Sequence, residues 1–186
     1  MTLGLPKGTV LLTDYDDAWQ QDFVRAERAI TDAAGDLVLR IEHIGSTAID
    51  GAIAKPIIDL LVGVRAPDDG PRLAERLAPA GYESLGEFGI PGRTLLTKGD
   101  PVTHHLHAVD IESAFWQVNM IFRDALRRDP DALARYVELK RELARRFADD
   151  RARYTEGKSA FIRAVLRDAG CAYEGLADGI RRASDL

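Results

Sequence analysis

The sequence is poor in cysteine, lacks long apolar runs and carries no excess of positive charge. Its single cysteine, Cys171, excludes an internal disulfide bond and a zinc site built from several cysteines, and it is typical of a reducing compartment. The net charge of −5 argues against a broad basic surface for duplex nucleic acid. Without a leader-like segment or an apolar run of about 18 residues, we expect a cytoplasmic protein that does not enter a membrane.

The chain is long and apolar enough to build one domain with a sizeable core. It has 186 residues, of which 46% are hydrophobic and 30% charged. Strand-like runs lie in residues 1–110 and helical patterns in residues 111–170. We therefore predict a single α/β domain, in which a mixed sheet packs against a C-terminal helical bundle. The tail, residues 171–186, is expected to add at most a short helix.

Two apolar runs joined by a loop are the centre of the sequence. The first, residues 37–44, ends at Gly45-Ser46, and the second, residues 57–62, is too short for a typical helix. Both are predicted to be strands, the second buried on both faces. Asp59 lies inside this second strand, where a carboxylate is costly unless a cation or hydrogen bonds compensate it. We therefore look for function around Asp59.

The other elements follow from apolar spacing and turn residues. Strands are predicted at residues 9–12, 93–97 and 103–109, the last two as a hairpin around Lys98-Gly99-Asp100-Pro101. The predicted helices are one from Asp14 or Asp16 to Gly35, one from Pro71 to Gly81, and three with apolar stripes over residues 115–126, 133–147 and 154–165.

The Gly45-Ser46 turn is a candidate phosphate site. Glycine lets the backbone turn sharply, so that amide groups and the hydroxyls of Ser46 and Thr47 face an anion. A lone Gly-Ser is more often a plain turn. Here, however, Asp59 follows on the next strand, and this pair resembles the signature of the nucleotidyltransferase fold. The resemblance implies that the turn holds a phosphate of ATP or another nucleoside triphosphate, and that the acid holds Mg²⁺.

The sequence departs from that signature at Leu61, which stands where a second acid is usual. His105 and His107 share one face of the hairpin strand, near the place of a third acid. With Asp59 they suit Zn²⁺ or Mn²⁺ better than Mg²⁺, so the identity of the metal stays open. Asp59 and His107 are the candidate catalytic residues. The alternative is that both histidines are ordinary hydrogen-bonded residues of a half-exposed strand.

The helical part offers several cations. Lys140 and Lys158 each fall on the apolar stripe of their predicted helix, where an unpaired cation is rare. The alternative is that their stems are buried and their amines reach water. Asn119 and Arg123 lie on or beside the inner face of the preceding helix, and Lys55 precedes the second central strand. Together they predict a cationic lining for a small molecule that carries phosphate or carboxylate.

Longer motifs are similar to one family. The segments Glu42-His43-Ile44-Gly45-Ser46-Thr47-Ala48 and Ala54-Lys55-Pro56-Ile57-Ile58-Asp59 resemble the hallmark of the GrpB family. The resemblance covers roughly residues 10–170. It implies a nucleotidyltransferase-like fold and a domain that also occurs fused to dephospho-CoA kinase. Leu61 is in keeping with this family. Further matches are Asp14-Tyr15-Asp16 with Trp19 and Phe23, His105-Leu106-His107, Phe122-Arg123-Asp124, Leu126-Arg127, Tyr136, Leu139-Lys140, and Tyr154 with Lys158.

Three hypotheses follow. The first is an enzyme that uses a metal-bound nucleoside triphosphate to modify a small molecule, by nucleotidyl transfer or by adenylation of a carboxylate. The second is a non-catalytic domain that binds or senses a nucleotide or a ligand like coenzyme A. The third is a structural protein whose polar cluster only fixes the fold. The expected site comprises a metal group (Asp59, His105, His107), a phosphate group (Gly45, Ser46, Thr47, Lys55, Arg123, Lys140, Lys158) and other polar residues (Glu42, His43, Asn119, Tyr154).

Overall fold

One five-stranded mixed sheet forms the centre of the computed structural model, which describes residues 3–6 and 9–172. The spatial order of the strands is β1-β2-β5-β4-β3. The central pair, β2 and β5, is parallel, and the other three pairs are antiparallel. The strands are β1 (Arg40–Ile44), β2 (Ile58–Val64), β3 (Tyr82–Ser84), β4 (Thr94–Lys98) and β5 (His104–Asp110).

Six α-helices surround the sheet in the described part of the chain. The N-termini of α3 and α4 are capped by side chains: Ser113 accepts from the Trp116 amide, and Asp129 accepts from the amides of Asp131 and Ala132. The helices are α1 (Ala18–Ala34), α2 (Asp69–Leu77), α3 (Ala114–Arg128), α4 (Pro130–Arg146), α5 (Arg151–Glu156) and α6 (Ser159–Asp168). None of the described helices combines the length and the apolar character needed to cross a membrane.

The two faces of the sheet pack against different helices. On one face, Ile58 and Leu60 of β2 join a continuous apolar core with α1 and α2. On the other, Leu61 packs with Phe115 and Trp116 of α3. Farther from the sheet, α3, α4 and α6 form a third apolar cluster. Since successive side chains of a strand point to opposite faces, β2 supplies both layers.

The predicted sheet, hairpin and helical part are confirmed, with two corrections. Residues 9–12 form no strand; pairing in this region is limited to an isolated bridge between the next residue, Thr13, and Ala54. The last predicted helix is two helices, α5 and α6, interrupted at Gly157. This glycine lies so close to Leu143 of α4 that a β-carbon would collide with the leucine side chain. Residues 173–186 of the predicted tail lie outside the described residues.

Candidate functional site

Strand pairing places the central acid beside the predicted histidine. Asp59 is directly opposite Ile44 of β1 and His105 of β5, and Leu61 is opposite His107. Residues paired in this way project from the same face of a sheet. The acid and both histidines therefore project toward α3, away from α1 and α2.

A chain of polar contacts orients Asp59. Its Oδ1 lies 3.0 Å from Nδ1 of His105 and 4.0 Å from Nε2 of His107, so only the first is a hydrogen bond. Arg93 Nη1 lies 3.5 Å from Nδ1 of His107. Because arginine only donates, a neutral His107 carries its proton on Nε2, toward the carboxylate. His105 donates from Nδ1, which leaves its Nε2 buried and without a hydrogen-bond partner.

The charge states follow from burial and from these contacts. Burial lowers the pKa of His105 and lowers that of His107 to about 4, although Asp59 opposes both shifts. Burial alone would raise the pKa of Asp59, but the hydrogen bond from His105 and the nearby imidazole of His107 outweigh it and hold that pKa well below its usual range. At neutral pH Asp59 is therefore an anion held by two neutral imidazoles.

The Gly45 turn lies directly against this acid. Gly45 has φ +70° and ψ −174°, a conformation open to glycine alone among ordinary residues. A β-carbon on Gly45 would overlap the Asp59 carboxylate and lie 3.1 Å from its Cγ. Glycine is required here both for the backbone conformation and for the close approach.

Lys140 of α4 contacts the same turn. Its Nζ donates to Ser46 Oγ at 2.7 Å and to the carbonyl of Ile53. The ammonium also lies 5.2 Å from the centre of the Tyr136 ring. Only 3% of the residue is exposed. Lys140 therefore points inward, as its position on the apolar stripe predicts, and does not reach toward water.

Two further lysines share the enclosure. Lys55 comes from the loop before β2, and Lys158 from the junction of α5 and α6, where its Nζ lies 4.9 Å from the Tyr154 ring centre. Burial, together with the charges of Lys158 and Lys55, holds the pKa of Lys140 well below its ordinary value, and Asp59 opposes this only in part. The three amines thus repel one another across a common space.

That space is a cavity of about 790 Å³, which includes the solvent at its mouth. It lies between the end of β1, the start of β2 and helices α3, α4 and α6. The predicted site residues that line it are Gly45, Ser46, Thr47, Lys55, Asp59, His105, Asn119, Arg123, Lys140, Tyr154 and Lys158.

Three expected residues lie outside the cavity lining. His43 is on the opposite face of the sheet, where its ring stacks on Phe23 at 4.8 Å, because it is one strand position away from Ile44. Burial lowers the pKa of His43 to about 4. His107 is fully buried behind His105, and Glu42 is engaged by an arginine. The expectation that these side chains face the cavity is wrong.

Arg123 lines the cavity, but its charge is already balanced. It lies 2.6 Å from Glu42 and 2.8 Å from Asp124, and it donates to the carbonyl of His43 at 3.0 Å. Its expected role in neutralising a phosphate is therefore weakened by these pairs. Arg127 donates to the Ala48 carbonyl at 2.6 Å and 3.0 Å and fixes the end of the turn.

The side chains present do not fit the predicted metal site. His105 directs its Nδ1 hydrogen at Asp59, and His107 is fully buried with its other ring nitrogen beside Arg93, so the three side chains are not a set of converging ligands. Leu61 occupies the place of a second acid and is fully buried. Among the described residues there is no group of three or more His, Cys, Asp or Glu placed to hold a metal ion.

Two residues of this arrangement are not among the predicted site residues. Tyr136 lines the cavity, and its spacing of four from Lys140 on α4 was a usable signal, since residues at i and i+4 share a helix face. Arg93, which is 1% exposed and contacts His107, gave no local signal. Its position follows from the pairing of β4 with β5.

A family model described as GrpB protein matches residues 9–168. The chain belongs to the GrpB family. It is 36% identical over 148 residues to the glutamate-rich protein GrpB of Alkalihalophilus pseudofirmus, an alignment that covers 76% of this chain and 85% of the relative. The crystal structure of the conserved protein GrpB from Enterococcus faecalis matches with TM-score 0.79 and 35% identity, over 86% of this chain and 96% of that chain.

More distant matches extend this comparison. A dephospho-CoA kinase of Mycolicibacterium paratuberculosis is 31% identical over 75% of this chain, which spans only 41% of that longer protein. The Cid1 poly(U) polymerase with Mg 3'-dATP bound matches with TM-score 0.54 and 13% identity, over 78% of this GrpB chain and 49% of that chain. At this identity the similarity shows the fold alone. The fold is thus nucleotidyltransferase-like, as predicted.

Proposed function

We propose that the cavity binds the phosphate chain of a nucleotide. The observation that carries this proposal is the buried ammonium of Lys140, which is hydrogen-bonded to Ser46 at the turn that begins the signature. Lys55 and Lys158 line the same cavity, and their charges act on Lys140. An anion between them would relieve the repulsion among the lysines.

Ligand-induced stabilisation tests this proposal. A ligand that binds only the folded state raises its stability by about 2.7 kcal/mol at a concentration 100 times its Kd. ATP, UTP, ADP and coenzyme A are titrated against the chain while its melting temperature and binding heat are followed. We expect the phosphorylated compounds to raise the melting temperature and adenosine to leave it unchanged. If adenosine works as well as ATP, the phosphate chain is not the recognised group.

Nucleotidyl transfer to a small molecule, or adenylation of a carboxylate, is the second candidate. It is favoured by the contact between the Gly45 turn and Asp59 and by the fold of the Cid1 polymerase. In this role the lysines would neutralise the phosphates and His105 would hold the Asp59 carboxylate toward the reacting groups. Binding is ranked first because Leu61 leaves the strand without a second carboxylate.

The two candidates are separated by pyrophosphate release. The chain is incubated with each nucleoside triphosphate and with a panel of alcohols, amines and carboxylates, and pyrophosphate is measured over time. Release that depends on an acceptor and is lost in Asp59→Ala establishes transfer. Tight binding without release across the panel leaves a nucleotide-binding or sensor domain.

A further inference from the structure

We propose that the cavity binds its phosphorylated ligand free of divalent metal, because Lys55, Lys140 and Lys158 neutralise the charge that Mg²⁺ neutralises in metal-dependent nucleotide sites. This inference rests on the proposed function. It specifies that the ligand binds without a divalent metal and that the lysines supply the charge that compensates the phosphates. The argument has two sides, the scarcity of metal ligands and the placement of the lysines.

The cavity offers little to a hard cation. Mg²⁺ prefers oxygen ligands, and Asp59 is the one carboxylate among the described residues that line the cavity. One of its oxygens already accepts from His105, and the carboxylate lies against the Gly45 backbone. Glu42 is paired with Arg123 at 2.6 Å. Among residues 3–6 and 9–172, no second carboxylate is therefore positioned to share a metal with Asp59.

The lysines, in contrast, approach from three separate elements. Lys55 precedes β2, Lys140 lies within α4 and Lys158 precedes α6. Lys140 and Lys158 each hold their amine over an aromatic ring, Tyr136 and Tyr154, in cation–π geometry. A divalent cation entering this space would meet three positive groups, whereas a chain of phosphates would meet three compensating charges.

The placement of the three lysines also explains why the protonated form of Lys140 is unfavourable in the absence of a ligand. Burial and the charges of Lys158 and Lys55 disfavour its protonated form. A bound anion reverses that effect, because an opposite charge nearby favours the charged amine. A metal–phosphate complex, whose charge is partly neutralised already, would reverse it less.

Isothermal titration with ATP and with inorganic pyrophosphate tests the inference, each in EDTA and in excess Mg²⁺. We expect binding in EDTA and a several-fold weaker apparent affinity when Mg²⁺ withdraws the free ligand. Binding that requires Mg²⁺ overturns this inference and leaves the proposed function standing. If neither ligand binds in either condition, the proposed function fails as well. Raising the salt concentration should weaken binding, since ionic contacts are screened.

The direction in which one substitution changes the affinity for ATP tests the inference independently. Asp59→Asn preserves the shape of the side chain and an oxygen that accepts from His105, but removes a negative charge from the cavity. If the lysines alone compensate the ligand, ATP binds several-fold more tightly to this variant in EDTA. If Asp59 holds a metal for the ligand, binding is weaker in Mg²⁺. The second result contradicts the inference.

The lysines are tested with a matched control on the same helix. Lys140→Met keeps the apolar stem and removes the amine, and we expect ATP in EDTA to bind about 10- to 100-fold more weakly. Arg145→Met removes an exposed cation of α4 and should leave the affinity unchanged. Lys158→Met provides a second variant at another element. An unchanged affinity in both lysine variants contradicts the inference.

Discussion

The two faces of the central sheet are built from the same strands but have opposite character. The face toward α1 and α2 is a closed apolar core, to which β2 contributes Ile58, Leu60 and Val62. The face toward α3 and α4 opens into a cavity beside Asp59 and Lys140. Strand alternation alone generates this contrast, because neighbouring residues of β2 belong to different layers.

Polar side chains on the two faces differ in exposure and in charge state. His43, on the closed face, is 4% exposed and stacks on Phe23, so its imidazole is kept neutral as part of the core. On the cavity face, Asp59 keeps its charge because His105 donates to it, and 24% of its side chain remains exposed. We therefore expect the closed face to serve stability and the cavity face to carry the proposed ligand site, a division that can be tested residue by residue.

The largest expected effect comes from Leu60, the neighbour of Asp59 in β2. Leu60 is fully buried on the closed face, and Leu60→Ala should lower the free energy of unfolding by about 2–5 kcal/mol through lost burial and the cavity left behind. Its affinity for ATP should stay that of the wild type. Denaturant unfolding and calorimetry measure both quantities. A Leu60→Ala protein that folds but has lost ATP binding would show that the two faces are not independent.

The next effect is the pH dependence of stability that a residue of the closed face produces. The pKa of His43 is about 4 in the folded chain against 6.5 in its ordinary state, so below pH 6.5 the unfolded chain binds a proton that the folded chain refuses. Stability therefore falls as the pH drops from 6.5 to 4, by about 3 kcal/mol for this group. His43→Gln should remove that part of the acid dependence. Unfolding in urea at a series of pH values measures it, and an unchanged slope would contradict the assignment.

The sheet and its hairpin could be predicted because their signals are local. The apolar runs that end at Ile44 and Val62, and the turn at Lys98-Gly99, fix strand positions without knowledge of partners. Lys140 could be predicted for a similar reason, since a helix with a regular stripe places each residue on a definite side. These predictions depend only on local sequence signals, namely periodicity and turn residues.

The contents of the cavity could be predicted only in part, because they depend on pairing between distant segments. The sequence around Arg123 does not indicate that Glu42 balances its charge. Likewise, the sequence around His107 does not indicate its contact with Arg93. The orientation of His43 was missed although the alternation of β1 contained it: Ile44 and His43 must face opposite sides. Motif resemblance grouped these residues by sequence, whereas strand geometry separates them.

The smallest effect compares two glycines with positive φ. Gly45 and Gly51 have φ +70° and +79°, so alanine is strained at both positions. At Gly51 the nearest atom to a new β-carbon is Cδ2 of Leu133, at 4.0 Å, and the expected loss is about 1 kcal/mol from the backbone alone. At Gly45 the backbone conformation costs about 1–3 kcal/mol, and the methyl group also displaces the Asp59 carboxylate.

The two variants should therefore differ more in ligand binding than in stability. Gly45→Ala moves Asp59 and the Ser46 hydroxyl that Lys140 contacts, so its affinity for ATP should change, while Gly51→Ala should bind ATP as the wild type does. Calorimetry on both variants, after correction for their unfolded fractions, makes the comparison. If both variants bind ATP like the wild type, the turn against Asp59 has only a structural role. The cavity face would then share the stabilising role of the closed face, without a role in ligand binding.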